Sequence, residues 1–204
     1  LHFPGTPALV LLPAMFLAGA AGGMAWAAIP AWLRTRFNAN EILTSLMLVY
    51  IAELMVSWLV HGPWKDPKGF GFPGTPPLPD AAALPRIGTT RVHLGLLFGL
   101  LAAVAVYIIL RRTWWGYEIR VIGENERAAR YAGISINRNI LLVMALSGGL
   151  AGIAGMSEIT GIAHQLQRSF SPGYGYTAII VAWLARLNPW LVVLVSVLFA
   201  GLLV

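Results

Sequence analysis

Four stretches of this 204-residue sequence carry almost no charge over a length that suits a membrane crossing: Ala8 to Leu33, Ile42 to Val60, Val92 to Leu110, and Ile140 to about Ile159. A bilayer core about 30 Å thick is crossed by about 20 apolar residues of helix rising 1.5 Å each. In water a chain of this size could bury one core, but it could not cover several such stretches. Backbone polar groups inside lipid must be satisfied within the segment itself, which selects helix. The expected fold class is therefore all-α, a polytopic transmembrane helical bundle, with membrane lipid as a partner. Composition agrees: 58% of residues are apolar and 11% charged, against roughly 25% charged in soluble domains.

The net charge of +6 raises nucleic acid as a partner, but the 14 Lys and Arg fall mainly in the gaps between apolar stretches, as at membrane surfaces. Nucleic-acid binding is excluded on that distribution. With no cysteine there are no disulfides, thiolate metal sites or Cys nucleophiles. The sequence starts at Leu1 and stops at Val204 within LVVLVSVLFAGLLV, which reads as a fragment, and residues 1 to 30 lack the pattern of a signal peptide.

From Tyr174 the chain is apolar but broken by Arg186-Leu187-Asn188-Pro189. The piece before the break is short for a span, so a short or re-entrant helix is expected, with a last span from near Trp190 and about five or six spans in all. If Arg34 to Glu41, Arg111 to Asn139 and Arg186 to Pro189 share a side, that side holds nine of the Lys and Arg and the other five. The excess marks it as cytoplasmic, with 111–139 a cytoplasmic loop and the Pro- and Gly-rich 61–91 an extracytoplasmic one.

Within the cytoplasmic loop, VIGENERAARYAGI, Val121 to Ile134, reads as a short surface helix. Asn125 caps it, Glu126 suits the positive end of the macrodipole, Ala128 and Ala129 favour helix, and Gly133 ends it. Arg127 and Arg130, three apart, project on adjacent positions. A solvated linker and a compact docking element both fit these residues.

Other features each carry two readings. In SGGLAGIAG, Ser147, Ala151 and Gly155, and likewise Gly148 and Gly152, recur every four residues, a spacing that lets two membrane helices approach closely; a place in a translocation path is the alternative. Gly19, Gly22 and Gly23 suit the same close approach. Glu53 shares a helical face with Leu46, Tyr50 and Ser57. It is either a substrate or proton contact or a carboxylate paired or protonated within helix packing. Tyr174 and Tyr176, in the turn GYGY, could line a pore. His2, His61, His93 and His164 lie far apart, so no metal is expected, and no phosphate loop, nucleophile elbow or dinucleotide turn occurs.

NEILTSLMLVYIA, HGPWKDP, VIGENERAARYAGI, SGGLAGIAG and SPGYGYTAIIVAWLARLNP together resemble the inner-membrane permease family of bacterial ABC importers for simple sugars, nucleosides and branched-chain amino acids. The likeness is collinear from about Asn40 onward, and HGPWKDP and SPGYGYTAI point to the nucleoside and simple-sugar branch. It implies part of one transmembrane permease domain over residues 1–204, within a bundle of about ten spans in the bacterial inner membrane. It further implies no enzymatic activity, a second homologous permease subunit, a cytoplasmic ABC ATPase that holds ATP and Mg, and an extracytoplasmic substrate-binding protein. By resemblance Gly123, Glu124, Asn125, Ala128, Ala129 and Gly133 belong to the segment that docks on the ATPase, and Arg127 and Arg130 lie within it. Two positions depart from the family pattern: Val49 where relatives tend to carry Asn, and Ala185 where they tend to carry Gly. The rival class is a proton-coupled secondary transporter using Glu53.

Overall fold

The structure, a computed structural model, describes residues 8–67, 73–79, 82–85, 94–167 and 173–203. The expected start of the third span at Val92, the histidines at 2 and 93, and the Ser-Phe-Ser-Pro run before GYGY lie outside them. The helices are α1 (Ala8–Phe37), α2 (Glu41–His61), α3 (Gly95–Arg112), α4 (Trp114–Glu124), α5 (Glu126–Tyr131), α6 (Ile136–Glu158), α7 (Tyr174–Leu184) and α8 (Pro189–Leu203), with a π-helical turn, Ile159–Ala163, extending α6. Among the described residues, four are long and apolar enough to cross a membrane: Val10–Phe37, Glu41–His61, Gly95–Arg112 and Ile136–Ala163. They match the four uncharged stretches, and the fold is the expected all-α bundle of membrane helices. α7 and α8 are shorter, of 11 and 15 residues.

The chain divides into two compact units, Leu1–Gly95 with Ile140–Phe170, and Leu96–Asn139 with Ser171–Val204. In the first unit, α1 and α6 meet at glycines. A Cβ on Gly23 would run into the carbonyl of Gly148 and lie 3.1 Å from Gly152 Cα; one on Gly152 would strike the carbonyl of Gly19; one on Gly148 would strike Gly23 and Ala27. Lipid offers no hydrophobic gain for packing helix on helix, so close backbone approach supplies the dispersion contact instead. Met24 fills the space over Gly149.

The turn from α1 to α2 is closed by Asn38 in the left-handed region (φ 54) and by an Arg34–Glu41 ion pair at 3.2 Å. Asn40 then caps α2, accepting from the Ile42 and Leu43 amides. At the other end of α6 the π turn leaves carbonyls that α-helical pairing cannot reach. A Pro-rich strap supplies the donors: Leu84 N to the Thr160 carbonyl at 3.0 Å, Leu78 N to His164 at 2.8 Å and Thr75 N to Leu166 at 3.0 Å. Thr75 Oγ1 accepts from Leu166 N in return, at 3.0 Å. Ala82 and Leu84 of the strap are buried, as is Thr160 of the π turn. Thr75, Leu78 and Leu84 of the 61–91 loop are thus tied to the end of α6.

In the second unit, Tyr107 of α3 packs on Trp190 of α8 with ring centroids 5.7 Å apart. α7 and α8 join through a tight turn in which Arg186 (φ 50) and Leu187 (φ 57) take the left-handed conformation, after which Asn188 caps α8 through its bond from Trp190 N. Ala185, at the position where glycine was expected, is fully buried with φ −78. The positive φ falls on the two residues after it, so a methyl is tolerated there.

Candidate functional site

The polar segment between α3 and α6 is helical for most of its length, where a loop was expected over 111–139. α3 ends in Arg111 and Arg112, which face the negative end of its dipole. Thr113 makes the corner: its hydroxyl donates to the Ile109 carbonyl at 2.6 Å and accepts from Gly116 N at 3.1 Å, capping α4. Gly116 is buried in that corner, where a Cβ would collide with the carbonyls of Ile109 and Leu110, so the turn needs glycine there. Charges scattered among the apolar residues of α4 hide its periodicity on a casual reading.

Val121 to Glu124 finish α4 instead of opening the short helix. Asn125 is the boundary in both directions. Its backbone N donates to the Val121 carbonyl at 3.0 Å, closing α4, while its side-chain oxygen accepts from Arg127 N at 3.0 Å and Ala128 N at 3.1 Å, opening α5. Glu126 in the first turn pairs with Arg130 in the last, Nη2 to Oε1 at 2.8 Å, an exposed i,i+4 pair that adds about 0.3–0.5 kcal/mol. Gly133 (φ 76) ends the element, its N bonding Arg130, while Ile134 N bonds the Ala129 carbonyl. Ala129 is fully buried. Gly123, Glu124, Asn125, Arg127, Ala128 and Arg130 are exposed, and Glu124, Asn125, Glu126, Arg127 and Arg130 line an open groove of about 630 Å³. A mixed-charge concavity on a preformed helix–cap–helix corner suits docking against a complementary protein surface.

Three further residues hold this corner to the first turn of α6, and sequence reading singled out none of them. Asn139, 4% exposed, accepts from Trp115 Nε1 at 2.7 Å, and its amide donates to Glu118 Oε2 at 2.9 Å and to the Ser135 carbonyl at 3.1 Å. The available signal was Trp115 and Glu118 three apart on one face of α4, with an amide at the head of an apolar span.

Of the small residues in α6, Gly148 and Gly152 form the crossing with α1. Ser147 and Ala151 are exposed and Gly155 has open space around it, so these three lie outside the contact. Gly22 likewise has nothing within 4 Å, unlike Gly19 and Gly23. Tyr50, Glu53 and Ser57 follow one another along α2 in the first unit, Tyr50 and Glu53 exposed and Ser57 half-buried with its carbonyl accepting from His61 Nδ1 at 2.8 Å. Tyr174 and Tyr176 sit in the first turn of α7 in the second unit, both exposed.

Comparison with known proteins places this arrangement in context. The family model described as branched-chain amino acid transport system / permease component matches residues 4–204. A glucose ABC transporter permease protein of Haloferax volcanii is 40% identical over 209 residues, covering 97% of this chain and 55% of that protein. A guanosine ABC transporter permease protein of Bacillus subtilis is 32% identical over 96% of this chain and 57% of its own length. A nucleoside ABC transporter permease protein of Lactococcus lactis is 30% identical over 100% of this chain and 57% of its own. The chain thus spans a little over half the length of the curated relatives it matches. No solved structure matches.

Proposed function

The chain belongs to the branched-chain amino acid transport system / permease component family, and from that premise we propose that it forms part of the transmembrane permease subunit of an ATP-binding cassette importer, moving a nucleoside or simple sugar. The observation that carries this reading is similarity along nearly the whole chain to proteins named as glucose, guanosine and nucleoside permeases. The chain is a multi-pass membrane protein; the bacterial inner membrane is the proposed location, with α4 and α5 on the cytoplasmic side where Arg111, Arg112, Arg120, Arg127 and Arg130 gather.

The proposed subunit performs no covalent chemistry. A partner ATPase holds ATP and Mg, and an extracytoplasmic binding protein delivers substrate. A second permease subunit completes the pore. The ATPase closes on ATP and displaces the docked corner of Glu124, Asn125, Arg127 and Arg130, so that the spans change between outward-open and inward-open arrangements. Such a partner shifts the equilibrium only by its differential affinity for the two arrangements, so the corner must be held differently in each. Tyr50, Glu53, Ser57, Tyr174 and Tyr176 are the proposed path-facing residues.

The test is uptake of labelled guanosine and glucose by proteoliposomes holding the full permease, its ATPase and its binding protein. Uptake of one of them is expected to require ATP and to continue in the presence of an uncoupler. Uptake that ignores ATP depletion but stops with the uncoupler would overturn the proposal and make Glu53 the titrating carboxylate of a proton-coupled carrier.

A further inference from the structure

We propose that Trp115, Glu118 and Asn139 form a positioning clamp that makes α4 and the first turn of α6 move as one body when the α4–α5 corner is displaced. The proposal rests on reading that corner as the ATPase-docking segment.

Between α5 and α6 the chain passes through Ala132 to Ser135, with Gly133 at positive φ. A glycine turn of this kind bends easily, so a push on α5 could be absorbed there before it reached α6. The clamp bypasses the turn. Its orientation is forced by chemistry: an indole N–H only donates and a carboxylate only accepts, so the Asn139 amide oxygen must face Trp115 and its nitrogen Glu118. Both amide hydrogens are used, one on Glu118 Oε2 and one on the Ser135 carbonyl. Asn139 is almost wholly buried, so water competes weakly for these bonds.

Trp115 and Glu118 lie about one turn apart on the same face of α4. Two attachment points resist rotation of α4 as well as sliding, which one bond cannot do. Asn139 lies in the first turn of α6, which begins at Ile136.

The discriminating variant is Asn139→Asp, which keeps shape and the acceptor for Trp115 but turns a donor towards Glu118 into a second carboxylate. Adding Glu118→Gln restores the N–H···O bond to α4 with its polarity exchanged, while the bond to the Ser135 carbonyl stays lost in both variants. In the complete reconstituted transporter, Asn139→Asp is expected to retain bound ATPase and basal ATP hydrolysis while substrate uptake per ATP falls roughly tenfold, and the double variant to recover part of the loss. Trp115→Phe, which removes only the indole donor, gives a smaller loss of the same kind and serves if Asn139→Asp fails to fold. Recovery by exchanged polarity is not expected of a residue that merely fills space.

The clamp is overturned if Asn139→Asp, or Trp115→Phe in its place, transports as many molecules per ATP as the parent, or if Glu118→Gln brings no recovery. If the parent transporter itself shows no ATP-driven uptake, the permease reading fails instead, and the two failures are told apart by the parent alone.

Discussion

A single methyl added at Gly23, Gly148 or Gly152 is expected to destabilise the helix pair, while the same methyl at Gly22 is expected to do no harm. At the first three the new Cβ meets backbone of the facing helix, which no rotamer change can relieve, so α1 and α6 must move apart. Overpacking of this kind costs about 1–3 kcal/mol, and separation forfeits the dispersion contacts that hold membrane helices together. At Gly22 there is nothing within 4 Å, and replacing glycine by alanine in a helix gains up to about 1 kcal/mol. Thermal unfolding of the detergent-solubilised permease separates the two groups. Equal midpoints for Gly23→Ala and Gly22→Ala would show that the crossing is not where the structure puts it. Gly152→Leu adds three further carbons to the same collision and is expected to abolish uptake.

Reversing charge in the docking groove is expected to release the ATPase without unfolding the permease. Glu124 and Arg127 are exposed, so neither substitution opens a cavity or strands a buried partner. In the assembled transporter, however, each lies in the proposed interface, where a like-charge meeting costs several kcal/mol. For Arg127→Glu or Glu124→Lys a loss of about 2–3 kcal/mol corresponds to a roughly 30- to 160-fold weaker association. The ATPase should no longer co-purify and uptake should fall with it, while the unfolding free energy of the isolated permease stays within about 0.5 kcal/mol of the parent. Normal co-purification and uptake in both variants would count against docking at this face.

The features that were legible in the sequence are those set by local chemistry. Span length and hydropathy are properties of contiguous residues, so α1, α2, α3 and α6 could be read directly. The Asn125 cap and the Gly133 stop needed only residues within a turn of each other. α4 was missed because a segment charged enough to look like loop can still alternate faces, and its decisive corner depends on Gly116 meeting carbonyls of α3. The two four-residue stripes in α6 are equivalent in sequence, and only the position of α1 selects Gly148 and Gly152 over Ser147, Ala151 and Gly155. The clamp joins residues 21 and 24 positions apart, and the strap joins Thr75 to Leu166 across 91. No periodicity encodes such pairings. Glu53 was conspicuous as a lone charge, but its partners in a whole permease are not a property of α2.

The most direct test of the account is a photoreactive amino acid placed at Arg127, on the exposed face of α5, in the complete transporter in native membranes. Irradiation is expected to join the permease to its ATPase. Yield should differ between ATP-bound and nucleotide-free samples, since the corner must be held differently in the two arrangements. Cross-links to the extracytoplasmic binding protein, with none to the ATPase, would contradict both the sidedness of α5 and its role in coupling.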